Sequence, residues 1–266
     1  MHLLEYPLGN GVRAFSTLRN SGGSGKGTYA AFNITPYCGD HPTNVAQCRK
    51  ALSAELGIAE DRLLLPHQTH GTRVLTIDSD FFRRSPEART TAMEACDALV
   101  TRERGVCIGV STADCVPLLL HDPTQGVAAA AHAGWRGMLA RIPQHALTTM
   151  AELGSDPRDV RAVIGPSISA DSFEVGEEVV DAFLTEGFPP PSSVPPHLAP
   201  ISTFGRPAHS YSKPKAWRCT TSALQASTPT RPTTPSSPPD ASASLPAASS
   251  PASLCNNPFS RPHIYL

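Results

Sequence analysis

Short apolar runs recur along the first 188 residues, each broken by Gly, Pro or Asp. They fall at 98–101 (ALVT), 106–112 (VCIGVST), 116–122 (VPLLLHD) and 126–134 (GVAAAAHAG). Runs of four to eight apolar residues without polar alternation fit strands buried on both faces. Residues 11–17, 62–66, 73–78 and 160–166 predict further short strands. Helical spacing appears between them. Val45, Cys48, Leu52 and Leu56 share one side of 44–56, with Pro42 and Thr43 as a start and Gly57 as a stop. Leu139, Ile142, Ala146, Met150 and Leu153 form a stripe over 136–152 that ends at Gly154. Pro143 lies inside that stripe, so it must occupy a first turn or kink the helix. A short helix over 176–187 has acidic residues at its front, as the helix dipole favours. Strands alternating with helices predict an α/β fold: a layered sandwich around a mixed β-sheet in a single domain.

The pattern stops after residue 188. Seventeen of the 27 prolines lie beyond it, and Asp240 is the only acidic residue there. The stretch STPTRPTTPSSPPDASASLPAASSPAS has neither a period of 2 nor one of 3.6. Such composition buries too little apolar surface to offset the entropy of ordering. The chain therefore divides into a globular unit, 1–188, and a Pro/Ser/Thr-rich irregular C-terminal segment, 189–266.

Charge and composition remove several function classes. The net charge of −1 offers no basic footprint for nucleic acid. No apolar run reaches 18 residues, so no transmembrane helix is expected. The amino-terminal MHLLEYPLGNGVRAF has an early Glu and no continuous apolar core, which does not read as a secretory signal. A cytoplasmic protein is expected, as monomer or homodimer. The seven cysteines are scattered and include no CxxC pair, which argues against a disulfide framework and a closed four-cysteine zinc site. Cys96 and Cys107, in apolar stretches, read as small buried hydrophobes.

Three residues carry candidate chemistry. His70 lies in HQTHG, Cys115 in TADC and His132 in HAGWRG, each where an apolar run breaks. Loops at strand ends on a rigid scaffold are where sites are usually built. Two imidazoles and a thiolate suit Zn²⁺, with Cu²⁺ as the competitor. Three ligands leave one coordination position open, the mark of catalytic rather than structural zinc. His70, Cys115 and His132 are thus the candidate metal ligands and catalytic residues. Long gaps between ligands have no local signature, so spacing alone leaves buried, inert residues as the alternative. His67 is either a fourth ligand or a solvated residue. His121 reads as a surface residue at a strand end. Arg136, at a helix start, could hold a phosphate or form an ion pair. GGSGKG at 22–27 lacks the spacing of a phosphate-binding P-loop.

The run from FSTLRNSGG through FNITPYCGDHPTNVAQCRK, HQTHG, DALVT, STADCVPLLLHD, HAGWRG, IGPSIS and FEVGEEVVDAF resembles the YfiH/YlmD family. That group was long labelled multicopper polyphenol oxidase or laccase domain and is now described as purine nucleoside phosphorylases. The resemblance covers about residues 1–188 and implies zinc held by His70, Cys115 and His132. It implies phosphorolysis of adenosine, inosine and methylthioadenosine, with adenosine deamination as a second activity. Purine nucleosides and phosphate are then the partners. Arg19 and Asn33 match an amino-terminal pocket motif and become substrate-binding candidates with Arg136; Asp114 and His67 are general-acid candidates. Two departures stand out. Cys48 replaces the family's usual Asn, and the CTY, FFSxRR and SGR motifs that normally end the family are absent, which suggests an out-of-frame carboxyl-terminal segment. The rival readings are a copper-dependent phenol oxidase, a metal-free hydrolase with Cys115 as nucleophile and a His base, and a non-catalytic binding protein.

Overall fold

The structure is a computed structural model. It describes residues 1–189 apart from 20, 24, 26, 170 and 171, together with 217–218 and 263–265. The strands are β1 (Leu3–Tyr6), β2 (Arg13–Thr17), β3 (Leu63–Leu64), β4 (Val74–Ile77), β5 (Ala98–Thr101), β6 (Cys107–Gly109), β7 (Val116–Asp122), β8 (Val127–Ala133), β9 (Arg161–Ile164), β10 (Trp217–Arg218) and β11 (His263–Tyr265). The helices are α1 (Pro42–Leu56), α2 (Ser79–Arg83), α3 (Pro86–Met93), α4 (Trp135–Leu139), α5 (Ile142–Glu152) and α6 (Glu177–Thr185).

The strands form two sheets, one more than the apolar pattern suggested. The order β1-β2-β11-β6-β3 makes a mixed five-stranded sheet, and β10-β9-β7-β8-β5-β4 makes a six-stranded one. In the larger sheet only the β4–β5 pairing is parallel. β11 lies parallel to both β2 and β6, opposite Arg13–Phe15 on one side and Cys107–Gly109 on the other. Residues 217–218 and 263–265 of the segment expected to be irregular thus contribute strands; the rest of that expectation lies outside the described residues.

Strand alternation assigns side chains to three cores. Ala14, Leu64 and Ile108 of the smaller sheet meet Ile77, Leu99, Leu119, Ala128, Ala130 and Val163 of the larger one. The opposite face of the larger sheet (Ala98, Val100, Leu120, Ala129, Ala131) packs on Ile142, Ala146 and Met150 of α5. The opposite face of the smaller sheet (Phe15, Leu63, Cys107) packs on Cys48, Leu52 and Leu56 of α1. The layers run helix, sheet, sheet, helix. Each fully buried large side chain contributes roughly 1.5–3 kcal/mol, so the three seams share the stabilisation. Cys96 and Cys107 are both fully buried.

Element ends follow local chemistry. The His41 ring accepts from Thr43 N–H to cap α1, Pro42 opens it, and Gly57 closes it at φ 66°. Ser85 and Asp78 cap α3 and α2 through their side chains. The apolar stripe over 136–152 belongs to two helices. Arg141, at φ 63°, breaks it, and Pro143 falls in the first turn of α5, where its missing N–H costs no helical bond. His121 requires a correction: it is fully buried rather than at the surface. Its Nδ1 is bonded to Leu8 O at 3.3 Å, because the turn after β1 folds over this end of β7. Burial holds its pKa below the ordinary histidine value, against the opposing pull of Leu8 O and Asp122.

Candidate metal centre

Two loops and the end of a strand meet at one end of the six-stranded sheet. Cys115 immediately precedes β7, and His132 is the penultimate residue of β8, with Pro117 opposite His132 in the ladder. His70 lies four residues before β4, whose first residue, Val74, is opposite Ala98, which in turn is opposite Ala131. His132 shares strand parity with Ala128 and Ala130, so it belongs to the face between the two sheets.

Side-chain donor atoms of His70, Cys115 and His132 all lie within 4.8 Å of one another. Cys115 Sγ is 3.7 Å from His70 Nε2, and the two imidazoles meet edge to face with centroids 4.8 Å apart. His132 is buried, Cys115 half-buried and His70 exposed, so the cluster opens to solvent on one side. The donor set and this spacing fit a divalent soft or borderline metal ion.

The residue that assembles the cluster is Asp97, which the sequence reading passed over. Its carboxylate is fully buried. Oδ1 accepts from His132 Nδ1 at 2.8 Å and from His70 N at 2.9 Å. Oδ2 accepts from Gly71 N at 2.8 Å and Thr69 N at 3.2 Å. Burial alone would raise the Asp97 pKa, but the bonds from His132, Gly71 and Thr69 outweigh it and hold the carboxyl below the usual range. The His132 pKa moves to about 9: burial opposes the charge, while the bond to Asp97 and the neighbouring Cys115 sulfur favour it. A signal was present in the sequence. Asp97 is a lone carboxylate directly before the apolar run ALVT, a position that demands a partner.

Three further residues shape the site. Gln68 and Ser111 exchange two hydrogen bonds, Gln68 Nε2 to Ser111 O at 2.8 Å and Ser111 N to Gln68 Oε1 at 2.7 Å. That pair ties the His70 loop to the loop carrying Cys115. Gly134 caps α4 with an ordinary φ of −66°, so its role is spatial. A Cβ there would stand 2.6 Å from His70 Cδ2 and 3.2 Å from Cys115 Sγ.

The other candidates are not among the three clustered side chains. His67 turns to Glu94 (Nδ1–Oε2 2.6 Å) and stacks on Tyr37 with centroids 4.3 Å apart, so it is not a fourth ligand in this arrangement. Asn33 spends its amide within its own loop, donating to Asp40 at 3.0 Å and Cys38 Sγ at 3.1 Å. Arg19 is exposed, and its carbonyl accepts from Phe32 N. Arg136 is exposed and lies 4.2 Å over the Trp135 ring. No ion pair to Arg136 forms among the described residues. Asp114 is exposed, and its carbonyl accepts from Ile168 N at 2.9 Å.

Known proteins resemble this chain over the same region. It is 44% identical over 178 residues to adenosine deaminase RL5 of an unknown prokaryotic organism, covering 67% of this chain and 68% of that one. It is 45% identical over 181 residues to a purine nucleoside phosphorylase of Bacteroides thetaiotaomicron, covering 68% and 67%. The crystal structure of YlmD from Geobacillus stearothermophilus superposes with a TM-score of 0.58 at 31% identity, covering 66% of this chain and 65% of that one. That of Bacillus licheniformis YfiH gives 0.57 at 29% identity, with 62% of each chain covered. Residues 13–196 match the family model described as multi-copper polyphenol oxidoreductase laccase. With that match spanning more than half its length and the YfiH and YlmD folds beside it, the chain belongs to the laccase-like YfiH family.

Proposed function

We propose that this protein is a zinc-dependent purine nucleoside phosphorylase, acting on adenosine, inosine and methylthioadenosine, with adenosine deamination as a second activity. The observation that carries the reading is the convergence of His70, Cys115 and His132 within 4.8 Å, in a chain 45% identical to a protein named purine nucleoside phosphorylase. His70, Cys115 and His132 hold the metal. Bound there, zinc supplies Lewis acidity and a positive charge against which negative charge can develop.

In phosphorolysis a phosphate oxygen bonds to the ribose C1′ as the C1′–N9 bond breaks, and the departing purine takes up a proton. The protein's work is to orient phosphate and to stabilise the leaving base. Arg136 suits phosphate: it is exposed and two residues from Gly134, whose backbone abuts His70 and Cys115. Arg19 and Asn33 are the remaining substrate contacts we assign, and Asp114 the candidate proton donor.

Copper chemistry is the less favoured reading. A multicopper oxidase needs many more ligands, and the three-residue cluster is the one such group among the described residues. The 3.7 Å Cys115–His70 contact would also serve a cysteine nucleophile with a histidine base.

Metal content by mass spectrometry, run beside hypoxanthine release from inosine, separates these. We expect about one zinc per chain and release that requires phosphate and stops after chelation. Activity that survives a chelator but not alkylation would favour the cysteine hydrolase. Bound copper with oxygen uptake on phenols would favour the oxidase.

A further inference from the structure

The geometry points to Asp97 as the positioning residue that prepares the metal centre before any ion arrives, and that makes Nε2 the metal-binding nitrogen of His132. This rests on the metal-binding reading above. His132 Nδ1 lies 2.8 Å from Asp97 Oδ1, and an ionised carboxylate can only accept. Nδ1 therefore carries a proton. Once the ring is neutral, Nε2 is left with its lone pair, and Nε2 is the nitrogen free to face His70 and Cys115. Histidine ligands are commonly fixed in this way by an acceptor behind the ring.

The same carboxylate governs the second histidine through its backbone. His70 has φ 63°, a left-handed conformation that a non-glycine residue rarely adopts unless something holds it there. Three consecutive N–H groups, of Thr69, His70 and Gly71, converge on Asp97 and hold the turn there. One side chain thus sets the tautomer of His132 and the approach of His70. The main chain supports this from both sides: His132 N donates to Asp97 O at 2.7 Å, and Asp97 N donates to Arg73 O at 2.9 Å.

An amide cannot replace this carboxylate. In Asp97→Asn the NH₂ group must take the place of one oxygen. At Oδ1 it meets His70 N–H and forces His132 to accept at Nδ1, which moves the proton to Nε2. At Oδ2 it meets the N–H groups of Gly71 and Thr69. Either orientation sets donors against a donor, although the size of the side chain is unchanged.

Two measurements test the role without relying on turnover. The first is nitrogen-15 NMR of the histidine rings in chelator-treated wild-type protein above pH 9, where we expect His132 to carry its proton on Nδ1. A His132 ring protonated on Nε2 overturns the inference, whatever the variant does. The second is affinity for Zn²⁺ by chelator competition, with Co²⁺ absorption as a report on the thiolate bond. Asp97→Asn should weaken zinc roughly 10–100-fold, as loss of such a supporting partner typically does. It should also alter the cobalt spectrum. A folded Asp97→Asn with wild-type affinity and spectrum overturns the inference while the metal-binding reading stands. Wild-type protein that binds neither ion defeats the metal-binding reading itself.

Discussion

At the scale of the residue, His132 links protonation to folding and, on the proposed function, to metal affinity. Its folded pKa of about 9 exceeds the roughly 6.5 of an unfolded histidine. A raised histidine pKa stabilises the metal-free fold fully below about pH 6.5, and that contribution is lost as pH rises through 9. The stability gap between metal-free wild type and His132→Gln should therefore be widest in mild acid and narrow towards pH 9, as read by chemical denaturation. A gap independent of pH would contradict the Asp97–His132 pairing. Because a metal at His132 Nε2 must displace the proton that the charged ring carries there, zinc affinity should rise over the same interval. The three clustered side chains were legible in the sequence, since His and Cys at breaks in apolar runs are conspicuous. Asp97 was not, because its partners are backbone groups near residue 70 and a ring at 132, and no local pattern records them.

At the scale of the element, the loops that carry His70 and Cys115 are held by side chains that act in place of backbone ladders. The Gln68 amide binds the Ser111 peptide through two bonds and so fixes the loop of Cys115 against that of His70. Gln68→Glu keeps one bond and turns a carboxylate oxygen against the Ser111 carbonyl. Leaving such half-buried groups unpaired costs roughly 1–3 kcal/mol. We expect faster alkylation of Cys115 in the chelator-treated variant than in wild type; an unchanged rate would mean that the loop is held by other contacts. Most elements could be read in advance, because caps such as Gly57 and the position of Pro143 obey local rules. α2 and α3 were missed although Asp78 and Ser85 cap them, since neither helix carries a long apolar stripe. The two-sheet arrangement was hidden for another reason. In β8 both faces are apolar, one towards the other sheet and one towards α5, so its alternation is invisible as a hydrophobic pattern.

At the scale of the whole molecule, two sheets share one core, and the site sits where the ends of β4, β7 and β8 come together. Completion of the smaller sheet depends on β11, which is paired on both sides. Proline has no N–H for a ladder and is poorly tolerated in central strands. Ile264→Pro removes a ladder donor and leaves its carbonyl partner unpaired, which should lower stability by roughly 1–3 kcal/mol. Calorimetry that finds the melting temperature unchanged would show that β11 adds nothing to the fold. The composition beyond residue 188 gave no hint of this strand, since HIY is too short to carry a period.

The position of β11 also bears on how the molecule is born. His263 is opposite Arg13, a separation of 250 residues along the chain. Contacts so remote in sequence form slowly, because a long loop must close before they give any return. On the ribosome, β2 and β6 emerge well before the strand that joins them. Each then presents a bare edge during synthesis, and such edges recruit neighbouring chains. Yield of this protein should depend on translation speed and chaperone supply more than its folded stability alone would indicate.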